Sequence, residues 1–283
     1  MKFKIYRFAA KHRFLSGILS GVFLCTLYSF ILMRLDAPPW LIILVDIPMA
    51  LLGALYPQAL GSKLIAAAVK SLENDCDPEP LYTETKALLD PKRNDAYQQL
   101  LLIDHCLALR EMGQWQQAMD IMKTINIDQH AGTLPYAKAV YYNNLSDLCD
   151  LLGDNAAADI WYGKMMQIYN DMPDNRLKKQ LAPAIPDATA AYHARNGRYD
   201  ESMACAKQMT RDNRHRTVYY ALAYGRASIG LKDYENARKS LEYAAANGKK
   251  SCAVQIARNM LAQLDELEKE ENKASEETNG SLF

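Results

Sequence analysis

Residues Trp40 to Tyr56 read WLIILVDIPMALLGALY. The run is apolar almost throughout, but Asp46 and Pro48 interrupt it. A helix needs about 17–25 apolar residues to cross a bilayer core, so the run is just long enough to span one or to be a buried helix of a soluble domain. Its neighbours decide between the two. Phe14 to Met33, FLSGILSGVFLCTLYSFILM, carries no charge over the length of a full span, about 20 residues. RLDAPP, Arg34 to Pro39, joins the two runs by a loop so short that the second must fold back on the first. Trp40 opens the second run where an interfacial anchor belongs, and Tyr56 and Pro57 close it. The reading is a transmembrane hairpin over 14–57, with spans at 14–33 and 40–56.

Charge gives the hairpin an orientation. The basic segment 1–13 holds Lys2, Lys4, Arg7, Lys11 and Arg13 and no acid, and Lys63 and Lys70 follow the second run. Basic residues flank the outer ends of both runs, while the loop carries one Arg and one Asp. The positive-inside rule then puts both termini and everything after the hairpin in the cytoplasm, as an integral protein of a bacterial plasma membrane. The first apolar run is too long for a cleaved secretory signal, and Leu24 in VFLC stands where a lipoprotein box needs a small residue. Asp46 costs about 2.5–3.5 kcal/mol at mid-membrane, and the Leu, Ile and Val residues around it offset that cost. Ser16, Ser20, Thr26 and Ser29 are its candidate partners on the first span. Gly17 and Gly21 form a G-x-x-x-G pair that favours close helix approach, within the hairpin or in a homo-oligomer. Asp46, Gly17 and Gly21 are thus expected at a membrane helix contact. A direct role for Asp46 in a transport or channel assembly is the competing reading.

Bulk composition excludes some functions. The formal net charge is +0 over 283 residues, without the basic excess of a nucleic-acid binder. The six cysteines, Cys25, Cys76, Cys106, Cys149, Cys205 and Cys252, form no CxxC pair, which fits reduced thiols acting as small buried groups. The acidic, polar C-terminal stretch is expected to continue a helix briefly and then, over 268–283, to be a disordered tail.

Beyond a helical connector at 58–93, a pattern recurs over 94–267. Four segments share it: GQWQQAMDIM from Gly113, GDNAAADIWY from Gly153, GRYDESMACA from Gly197 and LKDYENARKSL from Leu231. Each starts a helix at a turn and places a small residue in register: Ala118, Ala158, Ser202 and Ala237. Counting back 12 positions from each gives Cys106, Ser146, Ala190 and Gly225, again all small. Two small columns, one per helix, let paired helices pack closely. The chain resembles the tetratricopeptide repeat (TPR) family, built from helix–turn–helix units with a period of about 34 residues. The family's Gly-x-Tyr-x-x-Ala core appears as Gly113-Trp115-Ala118, Gly153-Asn155-Ala158 and Gly197-Tyr199-Ser202; the fourth unit keeps Tyr234 and Ala237 but has Lys232 for Gly. Spacings of 40, 44 and 35 between the small residues mark an irregular array, lengthened by INIDQHAGTLP and NDMPDNRLKKQ. Pro183 and Pro186 are placed to kink the third unit's first helix. CAVQIARNMLAQLDEL, from Cys252, is expected to cap the array. The expected fold class is therefore all-α: a transmembrane hairpin followed by an irregular TPR-like α-solenoid.

No HExxH, GxSxG, Walker A or GxGxxG motif is present, and His105 and Cys106 are adjacent helix residues that cannot face each other. No enzyme activity, cofactor or metal is expected. Trp115, Tyr199 and Tyr234 are expected in the core, and His193 as a satisfied core histidine. The resemblance implies a concave groove lined by the first helices, for a protein or peptide partner. Ile103, Leu107, Arg110, Asn143, Asn144, Asp147, Arg195, Tyr219 and Arg226 map to it. The family's carboxylate clamp is matched only at Asn144, with Ile103 where its first Lys would stand. The expected function is a membrane-anchored adaptor or scaffold; an array on the outer side, handling envelope components, is the remaining alternative.

Overall fold

The computed structural model describes residues 2–128 and 135–280. His130 and the end of the INIDQHAGTLP linker, together with the last three residues of the acidic tail, lie outside them. Among the described residues the fold is helical with no strand.

Helix α1 (Lys2–Lys11) leads into α2 (Arg13–Arg34), and after a tight loop α3 runs from Pro39 to Asp75. Both α2 and α3 are long and apolar enough to cross a membrane, and only 11% and 6% of their most apolar windows are buried. They are therefore not core helices. Ile18, Leu19, Val22, Phe23, Ile43, Ile47 and Leu51 all face outward, an apolar surface that a water-soluble domain rarely shows. The helices meet along a narrow seam. A Cβ added at Gly53 would lie 2.4 Å from the Gly21 Cα, so this crossing tolerates no side chain. Ser20 Oγ donates to the Gly53 carbonyl at 2.7 Å, and Ser29 Oγ donates to the Asp46 carboxylate at 3.1 Å. Gly17 is buried as well. Gly21 does serve a close contact, but its counterpart is Gly53, which the G-x-x-x-G spacing does not point to.

The segment 58–93, expected as a helical connector, begins inside α3. Helix α3 continues through Pro57, and Leu60, Leu64, Ala68 and Leu72, four residues apart, form a buried stripe on its second half. Helix α4 (Glu79–Leu88) lies on that half of α3 and carries the next helix, α5, on its other side. Arg7 clamps α1 to α4 through two bonds to Glu84, at 2.8 and 2.5 Å. The apolar hairpin and the helical array thus share one unbroken helix.

Four helix pairs follow: α5 (Ala96–Glu111) with α6 (Trp115–Met122), α7 (Pro135–Leu151) with α8 (Asn155–Asp171), then, after α9 (Arg176–Leu181), α10 (Ile185–Arg195) with α11 (Tyr199–Ala206), and α12 (Arg214–Gly230) with α13 (Tyr234–Asn247). The same turn joins each pair. The first helix ends in a residue of positive φ: Gly113 at 76°, Gly153 at 82°, Gly197 at 69° and Lys232 at 59°. The amide after it bonds back five residues, as Gln114 to Leu109, Asp154 to Cys149, Arg198 to His193 and Asp233 to Ser228. This closes the helix end in the Schellman manner. Asp154 and Asp233 then cap the second helix through their side chains. Both small-residue columns are buried. The 12-residue offset becomes a hydrogen bond in two pairs: Ser146 Oγ to the Ala158 carbonyl and Ser202 Oγ to the Ala190 carbonyl, each 2.9 Å. Pro183 falls in a 3-10 turn, Ala182–Ala184, that separates α9 from α10.

Helix α14 (Ala253–Gly280) packs on α13 and α12. The acidic stretch from 268 continues this helix to Gly280, with Lys269 paired to Glu266 at 3.0 Å. The array does not stay open. Helix α12 returns to α3, where Cys76 packs with Val218 and Ala221. Lys250 reaches Asp77 and Glu79 at 3.0 Å each, and the Cys252 amide donates to the Glu111 carbonyl at 2.6 Å. The last unit is locked onto the first layer.

Candidate functional site: an interior polar cavity

Closure narrows the expected groove to a half-open cavity of about 530 Å³, walled mainly by α5, α7, α10, α12 and α14. The cluster starts from Arg110, near the end of α5. Its guanidinium pairs with Glu111 at 2.9 Å and with Asp147 of α7, and donates to Asn144 at 3.4 Å. Asn143 donates to Asp147 at 3.4 Å. One turn further along α7, Asp150 receives Arg226 of α12 at 2.8 Å and lies 3.7 Å from Arg195 of α10. Arg195 also donates to Asp159 of α8 at 3.0 Å.

Glu111 is the node that joins the two ends of the array. Its fully buried carboxylate accepts from Tyr219 at 2.9 Å and from Ser251 at 2.7 Å, and His215 Nε2 lies 3.3 Å away. Burial alone would raise its pKa. His215, Arg110 and the Ser251 hydroxyl outweigh burial and hold the carboxyl well below the usual range. Asp187, at the start of α10, is the opposite case. Burial pushes it up to about 7, Asp147 adds to the rise, and Arg110 and His215 oppose it. Buried Cys252 is pushed up to about 12, chiefly by burial and then by Glu111.

All seven residues expected at the partner groove, Arg110, Asn143, Asn144, Asp147, Arg195, Tyr219 and Arg226, do converge here. Five of them line the cavity, and Asn143 and Asn144 join it only through Asp147 and Arg110. Ile103 is a core residue, packed with Cys106 and Leu109, and Leu107 packs toward α3 and α4. Trp115, Tyr199 and Tyr234 are half-buried, and the first two also line the cavity. His193 is half-buried and its Nδ1 has no partner among the described residues, so it is not the satisfied core histidine expected. His105 does find a partner, the Thr85 hydroxyl at 2.9 Å. All six cysteines are free thiols, four of them buried. Sequence reading missed Glu111, Asp150, Asp187, His215 and Ser251. Among the described residues no group of three His, Cys, Asp or Glu side chains is placed to hold a metal ion. Compared with known proteins, the chain matches no family model, no curated protein and no solved structure.

Proposed function

We propose that the protein is a membrane-anchored, TPR-like adaptor whose cavity receives a segment of a protein or peptide partner at the cytoplasmic face of a membrane. The observation that carries this reading is the continuity of α3, an exposed apolar half followed by a half built into the helical array. Such a helix holds the cavity at a fixed height above the bilayer and raises its effective concentration for membrane-bound partners. The four repeated turns and the two small columns support the TPR-like description. The Ser29–Asp46 bond favours Asp46 as glue between the spans over a part in transport. The test is photocrosslinking in cells from a photoreactive residue at Asn259 or Gln263, two exposed positions on the cavity rim. A discrete protein adduct from both, absent from an outward control at Tyr243, is expected. Equal labelling from all three positions would count against the proposal.

A further inference from the structure

The chain is neutral as a whole, but its charge is not spread evenly. The first 72 residues hold eight Lys and Arg against two acids, Asp36 and Asp46, and the remainder holds 25 against 31. The basic excess sits at the hairpin end, and the array carries the matching acidic excess. Helix α1 is fixed in place there. Arg7 is neutralised by Glu84 of α4, and Ala10 is buried with Leu88 and Leu101. A Cβ added at Gly61 of α3 would lie 3.3 Å from the Ala10 Cβ, so the two helices touch at that point. The other face of α1 is bare. Phe8 is 59% exposed, its ring 4.6 Å from that of His12, and Lys11 and His12 are exposed beside it. Spacings of three and four residues put Phe8, Lys11 and His12 on one helix face. Lys63, two residues past the contact on α3, is exposed as well. Neither ammonium group has a hydrogen bond or ion pair among the described residues.

Depth decides what this face meets. The exposed apolar half of α3 ends at Tyr56. Gly61 follows about 7.5 Å further along the helix axis. The headgroup layer on each side of the hydrocarbon core is about 5–8 Å deep. The contact of α1 with α3 thus falls at the inner edge of the headgroups, and a lysine stem is long enough to reach back into them. Lys70 lies about 21 Å past Tyr56, beyond the roughly 8 Å over which a charge acts in physiological salt.

We propose that Lys11 and Lys63, with Phe8 dipping among the acyl chains, bind the headgroup of an anionic phospholipid in the inner leaflet. The inference rests on the reading of α2 and α3 as a membrane hairpin and adds which lipid the anchor selects. The occupant is lipid because the patch runs without a break into the exposed apolar faces of both helices: α2 begins at Arg13, two residues after Lys11. Unpaired cations beside an exposed aromatic ring are the pattern of an interfacial helix on an anionic surface. A zwitterionic headgroup brings a cation of its own and is held less well.

The experiment is electron spin resonance of the full chain reconstituted in phosphatidylcholine vesicles. The vesicles carry a trace of spin-labelled phosphatidylglycerol or, as the control, spin-labelled phosphatidylcholine. The immobilised fraction of the label reads the lipid held by the protein. Each lysine is worth about fivefold at a headgroup it touches. Averaged over all the lipid around two helices, phosphatidylglycerol is expected to be held at least about twofold more strongly. Lys11→Gln with Lys63→Gln should bring the two lipids to parity, and Lys70→Gln should leave the preference intact. On the wild-type chain 1 M salt should remove it, since charges are then screened within about 3 Å; this readout stands even if the double variant fails to fold. Equal immobilisation of the two labels on the wild-type chain, or a preference that survives salt or the double variant, overturns the inference while leaving the hairpin in the bilayer. An equal fall with Lys70→Gln reduces the effect to net charge and overturns the site. No immobilised lipid of either kind overturns the membrane reading itself.

Discussion

Glu111 is the point at which the first and last units hold each other, so replacing it tests the closed array. Glu111→Gln keeps the shape and removes the charge. Arg110 loses one of its two carboxylates but keeps Asp147, while Tyr219 and Ser251 then face a neutral amide. Breaking a buried ion pair from one side costs about 3–5 kcal/mol, and the surviving Asp147 contact puts the expectation at the lower end, about 3 kcal/mol. For a soluble part of this size about 1 kcal/mol shifts the melting temperature by roughly 2–4 °C, so the variant should melt about 6–12 °C lower at pH 7. The pH dependence has a definite sign. A carboxyl whose folded pKa is depressed stabilises fully above its unfolded value, about 4.3, and loses that contribution as pH falls toward the folded value. The gap between wild type and variant should therefore be complete at pH 7 and narrow below about pH 4. The assay is thermal melting of the full chain by circular dichroism across that range, with Tyr219→Phe as a second probe of the node. Melting within about 1 °C of wild type at pH 7, or a gap that widens on acidification, would refute the reasoning.

The remaining predictions concern other parts of the chain. Lys232 occupies a left-handed turn that glycine fills in the other three units, so Lys232→Gly should stabilise by about 1 kcal/mol, read as a melting temperature higher by roughly 2–4 °C. Gly53→Val cannot fit against the Gly21 backbone and should part α2 from α3. A disulfide between Ser29→Cys and Asp46→Cys, expected to form readily in the native hairpin, should then fail to form. Asp104 is pushed up to about 7 by burial, so its ionisation opposes folding as pH rises from about 4 to 7. Asp104→Asn should raise the melting temperature at pH 8 and leave it unchanged at pH 4.

Local signals were readable in the chain, and long-range ones were not. The helix pairs could be read because turn glycines, capping acids and small residues at fixed spacing are local demands of helix geometry. The hairpin could be read because span length, loop length and flanking charge are local as well. Ser29 was one of several candidates for Asp46, and only the packed helices single it out. Closure of the array left no such trace: Glu111 meets Tyr219 across 108 residues and Ser251 across 140. The residues expected at the groove therefore cluster with acids that carry no pattern of their own. How the segment after the hairpin packs was hidden for a related reason. A stripe every four residues from Leu60 to Leu72 has meaning only once α4 and α5 are there to cover it.

The central claim is that an apolar hairpin anchors a cytoplasmic helical domain. Its most direct test is cysteine accessibility in intact cells with a membrane-impermeant maleimide, in a Cys25→Ser, Cys205→Ser background whose four remaining thiols are buried. One new cysteine at a time is introduced, at Ala37 in the hairpin loop or at Lys239 on α13. Labelling of Ala37→Cys from outside, with Lys239→Cys labelled only after lysis, is the predicted result. Labelling of Lys239→Cys in intact cells would contradict the claim.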